Sequence, residues 1–209
     1  MNHTQIEVRE HPVIFSTVMV QAILEGRKTQ TRRVIKPQPE FLGKHKMYQW
    51  GNATGNEYFL KDWASNQHIL PKFPYGQVGD RLWVRETWAI IKENDGVDIS
   101  DMSQNSGLFY KADNSYSEAI GKWRPSIFMP HWASRITLEI TGVRVERLQE
   151  ITEEDATAEG ICFNEWAYCG KYAKDIFKEL WNSLNAKRGY GWETNCWVWV
   201  ITFRRLTDE

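Results

Sequence analysis

Polar and apolar residues alternate along several segments of the chain, which is the pattern of half-buried strands. The alternation is clearest at residues 81–88, directly after a Gly79-Asp80 turn. Gly142 interrupts another long segment of strand character, where it predicts a bend or a bulge. We expect four strands to share one sheet, at residues 29–35, 81–88, 134–148 and 197–205.

Helical spacing of apolar residues, together with capping residues, predicts three helices. The first covers residues 17–26, with a hydroxyl residue at its start and a glycine at its end. A short second helix covers residues 152–160, because Thr152 can cap it and Asp155 takes the position of the acid in a capping box. A longer amphipathic helix covers residues 165–187.

Two stretches have no sustained periodicity and are predicted to be insertions, at about residues 36–75 and 92–121. Residues 123–130 contain two prolines and suit an edge or a loop near a site. The elements follow one another without the βαβ rhythm of a Rossmann fold. We therefore expect a single α+β domain over residues 1–209, with a mixed or antiparallel sheet and flanking helices.

Composition and charge exclude several classes of protein. The 209 residues are 42% hydrophobic and 25% charged, which is ordinary for a globular domain. No segment approaches the ~20 apolar residues of a membrane span, and the first residues lack the pattern of a secretory signal, so we expect a cytoplasmic protein with no membrane contact. Because the net charge is −1, any affinity for nucleic acid has to come from a local patch.

The cysteines, histidines and tryptophans give no pattern typical of a metal or cofactor site. Cys162, Cys169 and Cys196 form no CxxC pair, and we expect them to be structural thiols. The five histidines are scattered without ligand spacing, so we expect neither a metal nor a cofactor. Eleven tryptophans could stack on bases, but we expect most of them to fill the core.

The densest group of chemically useful side chains lies at residues 26–33, Gly-Arg-Lys-Thr-Gln-Thr-Arg-Arg. Four cations fall within these eight residues, and the next acid is Glu40. A run of cations on its own is usually a solvated face. Its position between a helix end and a strand can instead direct Lys28 and the threonine hydroxyls towards one pocket.

This segment resembles the G-x-K-x-x-x-x-R pattern of ASCH domains, which belong to the PUA-like superfamily; Gly26, Lys28 and Arg33 match it. The helix before it, the strand after Gly79-Asp80, the helix at Thr152 and the tryptophan-rich last strand occur in the family's order. The resemblance spans residues 15–206 and implies a mixed β-barrel with two insertions. Residues 123–135 resemble larger ASCH proteins of phages and prophages.

Within the family, a bacterial branch similar at residues 26–33 hydrolyses N4-acetylcytidine to cytidine and acetate. The resemblance implies Lys28, Thr31 and Glu159 as catalytic residues. Thr31 would be the nucleophile, Lys28 its base with a pKa lowered by burial and neighbouring cations, and Glu159 an orienting group or proton shuttle. Asp155 or Glu154 could take the place of Glu159.

Lys28 and Thr31 are three residues apart and would point to opposite faces of a regular strand, so Lys28 has to lie in the turn before pairing begins. Thr29, Thr31 and Arg33 then share a face, which keeps Thr29 as a substitute nucleophile. Arg33 could hold the pyrimidine O2 or a developing oxyanion. Lys28 and Arg33 could equally pair with Asp155 and Glu159 in a purely structural ion network.

Further ligand-binding candidates are two residues at the end of the second predicted strand and two single arginines. Glu86 and Trp88 could recognise a base by hydrogen bonding and stacking, although aromatic residues at strand ends are more often core. Arg124 and Arg135 could contact phosphate, although single arginines usually face solvent.

Two other functions remain open beside the amidohydrolase: a non-catalytic module that binds RNA or a modified base, and a ribonuclease. The predicted partner is a nucleoside or nucleobase-like small molecule, with RNA as an alternative. The oligomeric state is left open. A closed pocket at Lys28 would favour the hydrolase, and an open cationic groove the other two.

Overall fold

The fold is α+β and is built around a five-stranded sheet. The computed structural model describes residues 7–42, 47–50, 57–60, 73–102, 107–115, 117–161 and 172–207. Its strands are β1 (Glu10–Ile14), β2 (Gln30–Val34), β3 (Glu40–Leu42), β4 (Met47–Trp50), β5 (Glu57–Leu60), β6 (Arg81–Arg85), β7 (Trp88–Ile90), β8 (Leu108–Tyr110), β9 (Thr137–Arg147) and β10 (Trp197–Leu206), and its α-helices are α1 (Thr17–Leu24), α2 (Glu153–Ala158) and α3 (Ala173–Asn185).

The main sheet has the order β1-β6-β9-β10-β2. All neighbours are antiparallel except β1 and β6, which are parallel. The four strands predicted from alternation therefore do share one sheet. Gly142 lies beside the register shift between Thr202 and Phe203, so the predicted bulge is confirmed.

The two edges of this sheet are β1 and β2, and no ladder joins them among the described strands. Closure into a barrel therefore stays a prediction. One side chain does cross between the edges: Arg33 Nη2 donates a hydrogen bond of 2.8 Å to the carbonyl oxygen of Ile14. The cleft described below opens beside this crossing.

The apolar core lies on both sides of the sheet. One cluster is formed by α1 and the β1 side of the sheet, with Phe15, Ile23, Leu138 and Phe203 among its buried residues. The other lies between α3 and β10 and includes Phe177, Trp181 and Trp192. Several tryptophans fill the core as predicted, namely Trp83, Trp88, Trp181, Trp192 and Trp199.

The sequence-based boundaries hold closely for most elements. The capping box at Thr152 and Asp155 is present at the start of α2. The strand predicted at residues 81–88 is interrupted, because Glu86 and Thr87 separate β6 from β7. The helix predicted at residues 165–187 is observed as α3, which begins only at Ala173 after the extended cap residue Tyr172. Residues 165–171 lie outside the described residues.

Both predicted insertions contain strands of their own. β3, β4 and β5 form a three-stranded antiparallel sheet within the first, and β8 of the second pairs with β7. Cys196 is a buried free thiol, whereas Cys162 and Cys169 lie outside the described residues. None of the helices in the described ranges is long and apolar enough to span a bilayer.

Candidate active site at the start of β2

The turn between α1 and β2 places Lys28 before regular strand pairing begins. Lys28 makes an isolated bridge with Glu159, and β2 starts two residues later. Gly160, which follows Glu159 in the sequence, has φ +92°. A Cβ atom at this position would lie 2.9 Å from Ala22 Cβ and 3.0 Å from Lys28 Cβ. A side chain at Gly160 would therefore push apart the two segments that hold the site.

Lys28 and Glu159 form a buried ion pair. Lys28 Nζ donates to Glu159 Oε2 at 2.9 Å and to the carbonyl oxygens of Glu159 and Gln30, each at 2.8 Å. The Lys28 side chain is 0% exposed and that of Glu159 is 4% exposed. An ammonium group has three N–H donors, and all three are used here.

Burial lowers the pKa of Lys28, because charge is disfavoured away from water. The carboxylate of Glu159 opposes this shift, and the nearby Arg33 and Arg32 add weakly to it. The pKa of Lys28 is thus lowered, as predicted, and desolvation is the main cause. Arg27, in contrast, is not one of the causes of this shift. Its guanidinium binds Glu25 and the carbonyl oxygen of Gly160.

Arg32 extends the ion pair into a network. Its guanidinium contacts Glu159 at 3.3 Å, Glu146 at 3.2 Å and Asp155 at 2.8 Å, and its side chain is 0% exposed. Arg144 joins from β9, pairing with Glu146 and with Asp155 at 3.0 Å. The structural network anticipated for Lys28 and Arg33 therefore exists, with Arg32 in place of Arg33.

Sequence reasoning did not single out Arg32, Arg144, Glu146 or Gln30. Adjacent residues on a strand point to opposite faces, and only the register of β2 against β10 shows which arginine faces the acids. The Arg144-x-Glu146 spacing places both side chains on one face of β9, and it is the one signal in the sequence that could have indicated the network.

Of the three acids considered as partners of Lys28, Glu159 is the one in contact with it. Glu159 is the C-terminal cap of α2, directly beside the start of β2. Asp155 instead accepts hydrogen bonds from Gln30 at 3.0 Å and from Arg32 and Arg144. Glu154 is exposed on the outer side of the same helix.

A cleft of about 870 Å³ lies beside this pair. Thr31, Arg33 and Glu159 line it, whereas Lys28 lies behind the wall. Aromatic side chains form much of the remaining surface, namely Phe15, Tyr75, Phe177, Trp181, Tyr190 and Trp199. The cleft combines a flat apolar surface with a few polar groups, as small-molecule sites commonly do.

Thr31 is buried within β2, opposite Ile201 of β10. No described residue hydrogen-bonds to its hydroxyl, and Thr31 is one of the residues that line the cleft. Thr29 is exposed and is not part of that wall. The structure therefore brings together Thr31, Arg33 and Glu159 at one cleft, with Lys28 in contact with Glu159.

The other predicted ligand-binding residues lie in a different region. Glu86 is 1% exposed, and its carboxylate accepts hydrogen bonds from Arg135 at 2.9 and 3.2 Å. Burial raises the pKa of Glu86, and its pairing with Arg135 opposes this shift. Arg135 also pairs with Asp113 and lies 3.9 Å from the ring centroid of Tyr110.

Trp88 is 0% exposed and packs against Met102, Met129 and Ala133. Arg124 lies 5.5 Å from the centroid of the Trp88 ring and pairs with Asp95 at 3.2 Å. The structure does not bring Glu86, Trp88 or Arg124 to the cleft, although Thr87 between the first two does line it. A ligand-binding role for these three residues stays a prediction.

Over the described ranges, no group of three or more His, Cys, Asp and Glu side chains could hold a metal ion. The cleft has a single described carboxylate, Glu159, and this group already accepts hydrogen bonds from Lys28 and Arg32. Its lining is thus better suited to an anion or a neutral polar ligand than to a cation.

Comparison with known proteins adds one finding. No family model matches the sequence, and no curated protein matches it. Among solved structures, the ASCH domain from Lactobacillus crispatus JV V101 is similar at 13% identity with a TM-score of 0.37, over 94% of this chain and 79% of that one. The resemblance to ASCH domains therefore rests on the sequence motifs alone.

Proposed function

We propose that this chain is an ASCH-type amidohydrolase that removes an acyl group from N4-acylated cytidine or a similar small amide. One observation carries the proposal: Lys28 and Glu159 are in direct contact, and Glu159 shares the wall of one aromatic cleft with Thr31. The three residues come from two separate segments, and the fold brings them to one place.

In the proposed reaction, Thr31 Oγ1 attacks the acyl carbonyl carbon and its proton passes to Lys28. The tetrahedral intermediate collapses with cleavage of the C–N bond, and the leaving N4 amine takes up a proton. Water then hydrolyses the acyl ester on Thr31 and releases acetate. Each cycle consumes one amide and one water, so no cofactor is needed.

Lys28 can accept a proton only in its neutral form. Its hydrogen bond to Glu159 provides the route, because transfer of one proton along this bond leaves a neutral amine and a neutral carboxyl group. Burial favours this neutral pair over two charges, consistent with the lowered pKa of Lys28. Glu159, at the cleft wall, is then placed to return the proton to the leaving amine.

The test is release of cytidine from N4-acetylcytidine, separated by chromatography. Lys28→Ala and Thr31→Ala each reduce the rate by at least about 100-fold, and the double variant is scarcely slower than either, because the residues act as a unit. Thr31→Ser retains part of the activity. Thr29→Ala is the matched control, since Thr29 is exposed outside the cleft, and its rate is unchanged.

A second candidate is a non-catalytic module that binds RNA or a modified base. The described lining of the cleft contains four cations, Arg32, Arg33, Lys36 and Arg188, against the single carboxylate of Glu159. Such a surface suits a polyanion. Binding of cytidine-containing RNA without any hydrolysis of N4-acetylcytidine by the folded protein would favour this candidate.

A further inference from the structure

We propose that the cleft contains a phosphate subsite centred on Arg33, so that its ligand is a cytidine nucleotide rather than a free nucleoside. The proposal rests on the proposed function for the position of the base. It differs from the sequence-based expectation that Arg33 holds a pyrimidine carbonyl or an oxyanion.

The first argument is the contrast between two neighbouring arginines. Arg32 contacts three carboxylates. Arg33 forms no ion pair with any described residue, and its Nη2 donates to the carbonyl oxygen of Ile14. Its buried Nε has no partner, as is also true of Arg32. The contrast is one of charge, because a partly buried guanidinium without a counter-ion among the described residues is costly unless a ligand supplies one.

The surroundings of Arg33 hold it in place for such a ligand. Its guanidinium lies 5.4 Å from the centroid of the Phe15 ring, and the hydrogen bond to Ile14 holds one of its nitrogen atoms. Burial lowers the pKa of Arg33, with Tyr75 and Glu159 opposing the shift. An arginine remains charged even so, and a planar fork of donors suits a phosphate.

Two more cations lie along the same cleft. Lys36 follows the end of β2, with its Nζ 5.1 Å from the centroid of the Tyr190 ring. Arg188 ends the 3₁₀ turn that follows α3. Both are exposed, whereas Thr31 is buried, so positive charge increases from the reacting end of the cleft towards its mouth.

The order of residues on β2 determines how the proposed ligand would lie along the cleft. Thr31 and Arg33 share a face and are two positions apart, about 6–7 Å along a strand. A ligand with its acyl amide at Thr31 and Glu159 can then extend a charged group to Arg33 and Lys36. A neutral carbonyl would need one donor, whereas three cations without described carboxylate partners match a phosphate.

Binding measured by calorimetry tests the subsite without any catalytic step. We compare cytidine, cytidine 5′-monophosphate and a cytidine trinucleotide at low salt. The monophosphate binds about 10- to 100-fold more tightly than cytidine, the range that one or two charge-assisted hydrogen bonds provide. The preference shrinks as salt is raised. Tighter binding of the trinucleotide would identify the phosphate as that of RNA, and tighter binding of the monophosphate that of a free nucleotide.

Variants show whether Arg33 is responsible. Arg33→Gln loses at least 5-fold of the preference with little change in cytidine binding, and Arg33→Lys keeps part of it. Arg204→Gln is the matched control, since Arg204 is an exposed arginine of β10 paired with Glu139. If Arg33→Gln does not fold, the Lys36→Gln/Arg188→Gln double variant decides, and it also weakens the preference.

Equal affinity of cytidine and its monophosphate for the unaltered protein would overturn the subsite. The subsite would also be overturned if Arg33→Gln kept the preference for the monophosphate. If Arg33→Gln does not fold, the same preference in the Lys36→Gln/Arg188→Gln double variant would overturn it. Failure of the proposed hydrolase gives a different result from failure of the subsite: the preference for the monophosphate persists, but N4-acetylcytidine is not hydrolysed. Hydrolysis without a phosphate preference would leave the hydrolase standing and refute only the subsite.

Discussion

At the scale of single residues, the contact between Lys28 and Glu159 has a structural role and, in the proposed mechanism, a chemical one. Lys28 and Arg32 are fully buried cations, and both bind the carboxylate of Glu159. A buried charge without its partner is strongly unfavourable, so Glu159 has a structural role whatever reaction takes place beside it. In the proposed mechanism a proton moves between Lys28 and Glu159, because the two side chains can exist as two charges or as two neutral groups.

Glu159→Gln tests the structural role. We expect the free energy of unfolding to fall by about 3–5 kcal/mol, because the amide keeps the shape of the side chain and removes the carboxylate that compensates the buried Lys28. Guanidinium denaturation measures the change. Glu154→Gln, on the exposed side of α2, is the control and has little effect. An unchanged midpoint for Glu159→Gln would show that the pair does not stabilise the fold.

The sequence predicted part of this site and not the rest. Lys28, Thr31 and Glu159 followed from a motif and its resemblance, and the position of Lys28 in the turn followed from strand geometry. The roles of Arg32 and Arg33 did not follow, because two adjacent arginines look alike in a sequence. Which of them meets Asp155 and Glu146 depends on long-range contacts of β2, and these exist only in the folded chain.

At the scale of elements, α2 fixes the position of Glu159. The helix has six residues, too few to be stable alone, and its start is held by the reciprocal hydrogen bonds of Thr152 and Asp155. Its end is held by the bridge between Glu159 and Lys28 and by the hydrogen bond from Thr29 N to Ala158 O. Loss of the cap therefore loosens the carboxylate of the site.

Thr152→Ala measures the contribution of this cap. We expect a loss of about 1 kcal/mol in the free energy of unfolding, whereas Thr152→Ser stays close to the unaltered protein because its hydroxyl still accepts the backbone hydrogen bond. Thermal or chemical denaturation gives both values. Equal stability of the alanine and threonine forms would mean that α2 is held by its packing alone.

Elements were predicted best where the pattern was local. The alternation of residues 81–88 gave a strand, but the break at Glu86 and Thr87 depends on where β7 pairs with β8 and where Glu86 meets Arg135. β1 was missed because Glu-His-Pro-Val-Ile lacks a regular alternation. Its proline is tolerated on an edge strand, and its pairing partner β6 is some 70 residues away in the sequence.

At the scale of the whole molecule, the described sheet has a protected centre and two edges. β10 is paired on both sides, with β9 and β2, and its Val198, Val200 and Ile201 are 0% exposed. β1 has a partner on one side only. The cleft lies beside the other edge, β2, next to the hydrogen bond from Arg33 to Ile14 of β1.

Hydrogen exchange followed by NMR tests this difference between the centre of the sheet and its β1 edge. Amides in the centre of β10 exchange most slowly, with protection close to that of global unfolding, and amides of β1 exchange at least about 10-fold faster through local opening. Slow exchange in β1 equal to that of β10 would indicate that this edge is covered.

The central claim is that Lys28, Thr31 and Glu159 hydrolyse an acylated cytidine, and a pH profile of cytidine release tests it most directly. Lys28 has to be neutral to act as a base, and burial lowers its pKa from the ordinary value of 10.5. In the proposed mechanism Lys28 becomes neutral by passing its proton to Glu159, which returns it to the leaving amine, so the active pair holds one proton. The rate therefore falls as this proton is lost when the pH is raised through the lowered pKa of Lys28, below 10.5. Lys28→Arg, checked for folding, is inactive across the range, because guanidinium keeps its proton. Full activity of folded Lys28→Arg, or no cytidine released by the unaltered protein at any pH, would contradict the account.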